Sequence, residues 1–236
     1  MTDAVAHDLV AAVRRELEAR ADPARAPQME RYMKSAMPYY GVRMPEVRLL
    51  TRALYAAHPL PDRASWAATT SALFDGATHR EERYAALMLL ADRRYVGFLT
   101  GAALPLLEHI IVVGAWWDIV DDASHCVATV LLADRSAAEP VIRSWAASRD
   151  RWLRRAAIIC QLSHRERTDV VLLADAISAA IGEREFFLRK GIGWALREYA
   201  KTDPEWVRRF VAEHGDGSQA PLSPLSRREA LKNLSR

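Results

Sequence analysis

At 236 residues, half of them hydrophobic, the chain carries enough apolar side chain to bury a substantial core, which excludes a disordered protein and fits one domain over residues 1–236. The net charge of +3 and isoelectric point near 9.0 come from dense charges of both signs, so they permit a nucleic-acid partner without demanding one. The N-terminus has Asp3 and Asp8 and no apolar run behind a basic start, and the apolar stretch 104–117 is broken by Glu108 and His109, so neither a secretory signal nor a membrane span is expected and a cytoplasmic location follows.

In chain order, helical periodicity recurs at 3–20, 28–36, 45–57, 63–75, 79–92, 102–113, 116–132, 137–148, 151–163, 166–180, 183–201, 203–213 and 224–234. No stretch alternates as a strand should. The eleven prolines, Pro140 among them, fall in expected connections or first turns and so punctuate a series of helices. Helices of roughly 12 to 17 residues arriving in pairs every 30 to 40 residues predict an all-α helical-repeat solenoid. The second helix of each pair then lines an inner wall, which gathers Trp117, Arg155 and Trp194 from distant parts of the chain. Residues 215–223, rich in Gly, Ser, Gln and Pro, form the one clear loop. Cys126 and Cys160 sit on apolar stripes, where reduced cysteine behaves as a small hydrophobe, and no disulfide is expected.

Two of these helices carry an unusual second stripe. In 116–132, Ile119, Ala123, Cys126 and Val130 form the core stripe, while Trp117, Asp121, Ser124 and Ala128 run about 200° away and are expected to face outward. In 183–201, Leu188, Ile192, Ala195 and Tyr199 form the core stripe, and Lys190, Trp194, Arg197 and Lys201 lie opposite. Aromatic faces, one carboxylate and a row of cations are the parts needed to hold a cationic nucleotide against a phosphate backbone. Other chemistries lack their motifs. The seven histidines are scattered, with no HExxH and no CxxC, so no metal or metal cofactor is expected. A glycine-rich phosphate loop and a G-x-S-x-G elbow are also missing, which removes nucleotide-cofactor chemistry and serine hydrolysis. His125 and Cys126 are adjacent in a helix and point about 100° apart, so they cannot form a dyad.

The segments Arg31-Tyr32-Met33-Lys34, Gly41-Val42-Arg43-Met44-Pro45-Glu46-Val47-Arg48, Trp116-Trp117-Asp118-Ile119-Val120-Asp121, Trp152-Leu153-Arg154-Arg155-Ala156-Ala157 and Gly193-Trp194-Ala195-Leu196-Arg197-Glu198-Tyr199-Ala200-Lys201 occur in that order, followed by Leu225-Ser226-Arg227-Arg228-Glu229-Ala230. As an ordered set they closely resemble the AlkD-type DNA alkylation-repair glycosylases. The resemblance implies a curved solenoid of antiparallel HEAT-like helical repeats, acting as a monomer on double-stranded DNA that contains alkylated purines, in the cytoplasm with the nucleoid and without a cofactor. It further implies excision of positively charged N3- or N7-alkylated purines without flipping the base. On it, the catalytic carboxylate maps to Asp121, its aromatic companions to Trp117 and Trp194, and a DNA-contacting arginine to Arg155. Tyr32, Lys190, Arg197, Lys201, Arg227 and Arg228 are the further expected DNA contacts. Gly114-Ala115 stand where the family often has a hydroxyl residue, so the Trp117 helix is expected to start without a side-chain cap, and Ile119 falls on the core stripe. The alternatives are a glycosylase for bulky natural-product purine adducts and a non-catalytic DNA- or protein-binding scaffold in which Asp121 only pairs with an arginine.

Overall fold

Local capping chemistry sets most of the element boundaries. In the computed structural model, which describes residues 4–234, the α-helices are α1 (His7–Glu18), α2 (Ala26–Met33), α3 (Met44–Ala57), α4 (Arg63–Asp75), α5 (Arg80–Leu90), α6 (Leu104–Gly114), α7 (Trp117–Ala133), α8 (Arg135–Ala146), α9 (Arg151–Ile159), α10 (Val170–Ser178), α11 (Phe186–Tyr199), α12 (Pro204–Glu213) and α13 (Pro224–Leu231). Aspartates cap α4, α8, α9, α10 and α12, each accepting from backbone N–H groups of the first turn, and Glu185 and Ser223 do so for α11 and α13. Each such cap contributes about 1 kcal/mol. Proline stands in the first turn of α2, α3, α6, α12 and α13, where its missing N–H has no helical partner anyway. There is no strand among the described residues, and the chain is an all-α series of antiparallel HEAT-like helical pairs. Residue Asp3, part of the expected first helix, lies outside the described residues.

Pro140 corrects one expectation. It lies inside α8, because Asp134 accepts from Ala137 N–H and starts the helix at Arg135, two residues before the apolar pattern suggested. The shorter observed α9 and α10 have a similar cause. Gln161 donates through Nε2 to the Asp169 carbonyl and accepts the Asp169 N–H through Oε1, clamping the connection, while buried His164 meets the Ala128 carbonyl at 3.0 Å. A six-residue 3-10 turn, Arg93–Phe98, follows α5 where only a connection between the segments 79–92 and 102–113 was expected.

The chain divides into two compact units, Met1–Phe98 and Leu99–Arg236. In the first, α4 and α5 pair, and α1 and α3 pack on α5 around Trp66, Phe74, Leu73, Leu89 and Leu90. Glu81 is fully buried there and accepts the N–H groups of Tyr40, Gly41 and Val42, which fixes the chain entering α3. Gly41 is required in that segment: its φ is +87°, and a Cβ would lie 2.3 Å from the Asp22 carbonyl oxygen. In the second unit, α7, α9, α11 and α13 pack side by side as one layer, with α6, α8, α10 and α12 against it. Cys126 and Cys160 are buried free thiols, both pushed up to about 12 by burial.

Candidate functional site

The four-helix layer of the second unit brings together residues 32 or more positions apart in the chain. Its anchor is aromatic. The first turns of three successive helices each supply a ring: Trp116 precedes α7, Trp152 is in α9, and Phe186 and Phe187 open α11. Trp116 lies 6.0 Å from Trp152 and 5.6 Å from Phe187, and Trp152 lies 5.0 Å from Phe187, each in tilted or edge geometry. Such pairs add roughly 0.5–1.5 kcal/mol beyond the area they bury. They also hold an awkward turn, since α6 ends on Ala115 at φ 42°, a left-handed conformation that costs a non-glycine residue about 1 kcal/mol or more. As expected from Gly114-Ala115, α7 starts without a side-chain cap, and Ile119 is fully buried.

One turn into α7, Asp121 meets Arg155 of α9 as a two-pronged ion pair. Arg155 Nε donates to Oδ1 at 2.7 Å and Nη2 to Oδ2 at 2.9 Å, and Nη1 donates to the Phe187 carbonyl at 2.6 Å. One guanidinium therefore ties α7, α9 and α11 together. Gly191 eases the approach: a Cβ there would sit 3.3 Å from Arg155 Nη1, a tight contact. The Arg155 side chain, which the resemblance makes a DNA-contacting arginine, is 5% exposed and is engaged by Asp121. Asp121 keeps 13% of its side chain exposed, enough to present one edge. Burial raises its carboxyl above the ordinary aspartate range, and Arg155 pulls the other way.

The expected outward face of α7 needs correction. Ser124 and Ala128 are 2% and 3% exposed, and the open stripe is instead Asp122, His125 and Leu132, with Asp118 and Thr129 half-buried beside it. The reason is that α7 is packed by α6, α8 and α9, so two of its stripes are buried and Trp117 and Asp121 sit at the border, both half-buried. Cys126, buried on the other side of exposed His125, has no part in the site.

On α11, Trp194 is half-buried between Lys190 and Arg197. Both cations meet one carboxylate, Glu229 of α13, at 3.1 Å and 2.6 Å. Burial works to raise the Glu229 carboxyl, but Lys190 and Arg197 outweigh it and hold it below its ordinary value. The two helices approach closely at Gly193, where a Cβ would lie 2.6 Å from Glu229 Cβ and 2.9 Å from the Ser226 carbonyl oxygen. Lys201 is exposed and pairs with Glu198, and Arg227 and Arg228 are exposed on α13, Arg227 with Asp216 at 3.4 Å. Tyr32, 78% exposed on α2, belongs to the first unit. Glu229 and the Trp116–Trp152–Phe187 cluster are the residues that sequence reasoning missed. An aromatic at the start of three successive helices was the available signal for the cluster; nothing local marks Glu229.

The arrangement offers a fixed, partly exposed anion, indole side chains on α7 and α11, the two helices that flank α9, and a cationic strip. A family model described as DNA alkylation repair enzyme matches residues 13–234. The chain belongs to the DNA alkylation repair enzyme family. A solved structure described as "Predicted DNA alkylation repair enzyme from Enterococcus faecalis" is similar at a TM-score of 0.74 and 29% identity, covering 92% of this chain and 97% of that one. The structure of smu.31 from Streptococcus mutans UA159 shares the fold at a TM-score of 0.60 and 15% identity, covering 88% of this chain and 96% of that one. No curated protein matches the chain. As a DNA alkylation repair enzyme it acts on DNA. None of its helices among the described residues is long and apolar enough to cross a membrane, and no group of three or more His, Cys, Asp or Glu among them could hold a metal ion.

Proposed function

We propose that this DNA alkylation repair enzyme is a monofunctional DNA glycosylase that excises positively charged N3- or N7-alkylated purines from duplex DNA without flipping the base, leaving an abasic site. The observation that carries the reading is the Asp121 carboxylate, edge-exposed, locked by Arg155 and one helical turn from Trp117. An alkylated purine is already cationic, so its glycosidic bond is weakened and the leaving group needs no protonation. As the bond breaks, positive charge passes to the deoxyribose, and a preorganised anion near the anomeric carbon stabilises that oxocarbenium-like state more than the ground state. Asp121 supplies the anion and positions the capturing water. Trp117 and Trp194 offer indole faces to the cationic nucleotide, each contact contributing about 0.5–2 kcal/mol and favouring a cation over a neutral purine. Lys190, Arg197, Lys201, Arg227 and Arg228, with Tyr32 from the first unit, hold the backbone; Arg155 serves by orienting Asp121. The protein works as a monomer on DNA at the nucleoid.

The Asp121–Arg155 pair is also what a purely structural role would use, which favours, as a second reading, a scaffold that binds DNA without chemistry. Release of free base from duplexes carrying N7-methylguanine, N3-methyladenine or a bulky minor-groove purine adduct separates the two. Release of any of them supports the glycosylase and identifies its lesion; binding with no release from all three supports the scaffold.

The cationic strip makes its own prediction. Arg197→Ala weakens binding to every duplex and flattens the dependence of affinity on salt, because a phosphate contact and its released counterion are lost. Glu229→Gln does the reverse, since it removes the carboxylate that competes with phosphate for Lys190 and Arg197. Titrations of undamaged duplex across salt concentrations check both signs, and an unchanged slope in both variants places the strip away from DNA.

A further inference from the structure

A second basic feature lies in the first unit. A cleft of about 500 Å³ opens between α3 and the corner where α5 runs into the 3-10 turn. Thr51, Tyr55 and Met88 line it, and Arg48, Arg52, Arg93 and Arg94 stand around it with one acid, Asp92. The lining is rigid and needs no ligand to complete it: Tyr55 Oη donates to the Ala85 carbonyl at 2.6 Å, and Thr51 Oγ1 donates to the Val47 carbonyl at 2.8 Å.

The charge there is uncompensated. Asp92 is engaged by Arg94, through its backbone N–H at 2.9 Å and its guanidinium at 2.6 Å. Arg48, Arg52 and Arg93 are exposed, and none forms an ion pair with a carboxylate among the described residues. Arg135, Arg143, Arg154, Arg155 and Arg197 of the second unit, by contrast, all have acidic partners. Arg48 and Arg52 are four residues apart on α3 and share a face, so their guanidinium groups reach the cleft side by side. Like charges gathered over a low-dielectric wall focus a positive potential and attract an anion.

We infer that this arginine cleft is a backbone-binding site for duplex DNA, in which Arg48, Arg52 and Arg93 engage successive phosphates of one strand. The inference deepens the proposed function by adding a second DNA anchor on the first unit. A phosphodiester backbone fits better than a free nucleotide or a base because the one aromatic ring in the cleft, Tyr55, is 1% exposed and offers no face for stacking. The arginines are planar donors suited to paired phosphate oxygens, and nothing in the cleft reads a base edge, so the contact is independent of sequence.

The test is the salt dependence of binding of the full-length protein to an undamaged duplex, measured for the wild type, Arg52→Ala/Arg93→Ala and Arg208→Ala. Arg52 and Arg93 are exposed and have no acidic partner among the described residues, so the double variant keeps the fold, which its melting temperature verifies. The double variant loses about tenfold or more in affinity at low salt, and its slope of log K against log salt falls by about two phosphate contacts' worth, roughly 1.8. Arg208, exposed and paired with Glu205 on α12, leaves the slope unchanged. Millimolar inorganic phosphate or a nucleoside triphosphate fails to displace the duplex. An unchanged slope in the double variant overturns the proposal, and so does displacement by phosphate or triphosphate that the double variant abolishes, which would make the cleft a small-anion site. Loss of slope in a protein that releases no base would refute the glycosylase reading and leave this cleft standing.

Discussion

Asp121→Asn lowers base excision by at least about a hundredfold, the roughly 3 kcal/mol that removal of one preorganised electrostatic group from a transition state typically costs. Asparagine keeps the size of the side chain and an acceptor for Arg155, but deletes the charge that opposes the developing oxocarbenium. DNA affinity stays the same or rises, because an anion near phosphates is gone. Folding stability falls as well, since Arg155 is 5% exposed and loses its counter-ion; breaking a buried pair costs about 3–5 kcal/mol, with the lower end expected where one hydrogen bond survives. Excision is therefore compared under single-turnover conditions at a temperature where a melt shows both proteins folded. Asp122→Asn is the control: it is exposed on α7, about 100° around the helix from Asp121, and retains most activity, whereas Asp118, about 60° from Asp121, stands close enough to raise its carboxyl. Equal damage from Asp122→Asn would show that the wrong face of α7 has been chosen.

Arg155→Gln shifts the acid side of the pH–rate profile to higher pH and lowers excision by up to about a hundredfold at neutral pH. The sign follows from the groups around Asp121. Burial raises its carboxyl and Arg155 opposes that rise, so deleting the guanidinium lets the carboxyl climb further. The working form is the anion, so excision is full above the pKa and lost as pH falls through it; a higher pKa moves that loss upward. Arg155→Lys restores a charge but not the fork that bonds both carboxylate oxygens and the Phe187 carbonyl, so it returns the acid limb toward its wild-type position while leaving the rate low. An acid limb that does not move in Arg155→Gln would separate Asp121 from the chemistry.

Periodicity was enough to read the fold because the helices bury apolar residues at helical spacing, and Pro and the Asp caps mark where many of them start. It failed at Pro140, where a cap two residues upstream outweighed the apolar pattern. It failed again on α7, where the assumption of one buried stripe per helix breaks down: a helix inside a packed layer buries two, so Ser124 and Ala128 looked outward and are not. The residues of the site were legible one by one, since a Trp and an Asp one turn apart stand out against a core stripe. Their partners were not, because Arg155 lies 34 residues from Asp121 and Glu229 lies 32 from Arg197, and only the stacking of second helices brings them together. The same stacking places the Arg155 guanidinium on both oxygens of Asp121, a pairing that no local motif announces.

The most direct test of the account is release of free base by the wild-type protein. A duplex carrying a single N7-methylguanine is incubated with excess protein in buffer containing a metal chelator, and the products are resolved by chromatography. The account predicts free N7-methylguanine and an intact strand with an abasic site, at a rate the chelator leaves unchanged, because the lesion carries its own activating charge and Asp121 supplies the anion. Tight binding with no base released, or release that the chelator abolishes, would contradict it.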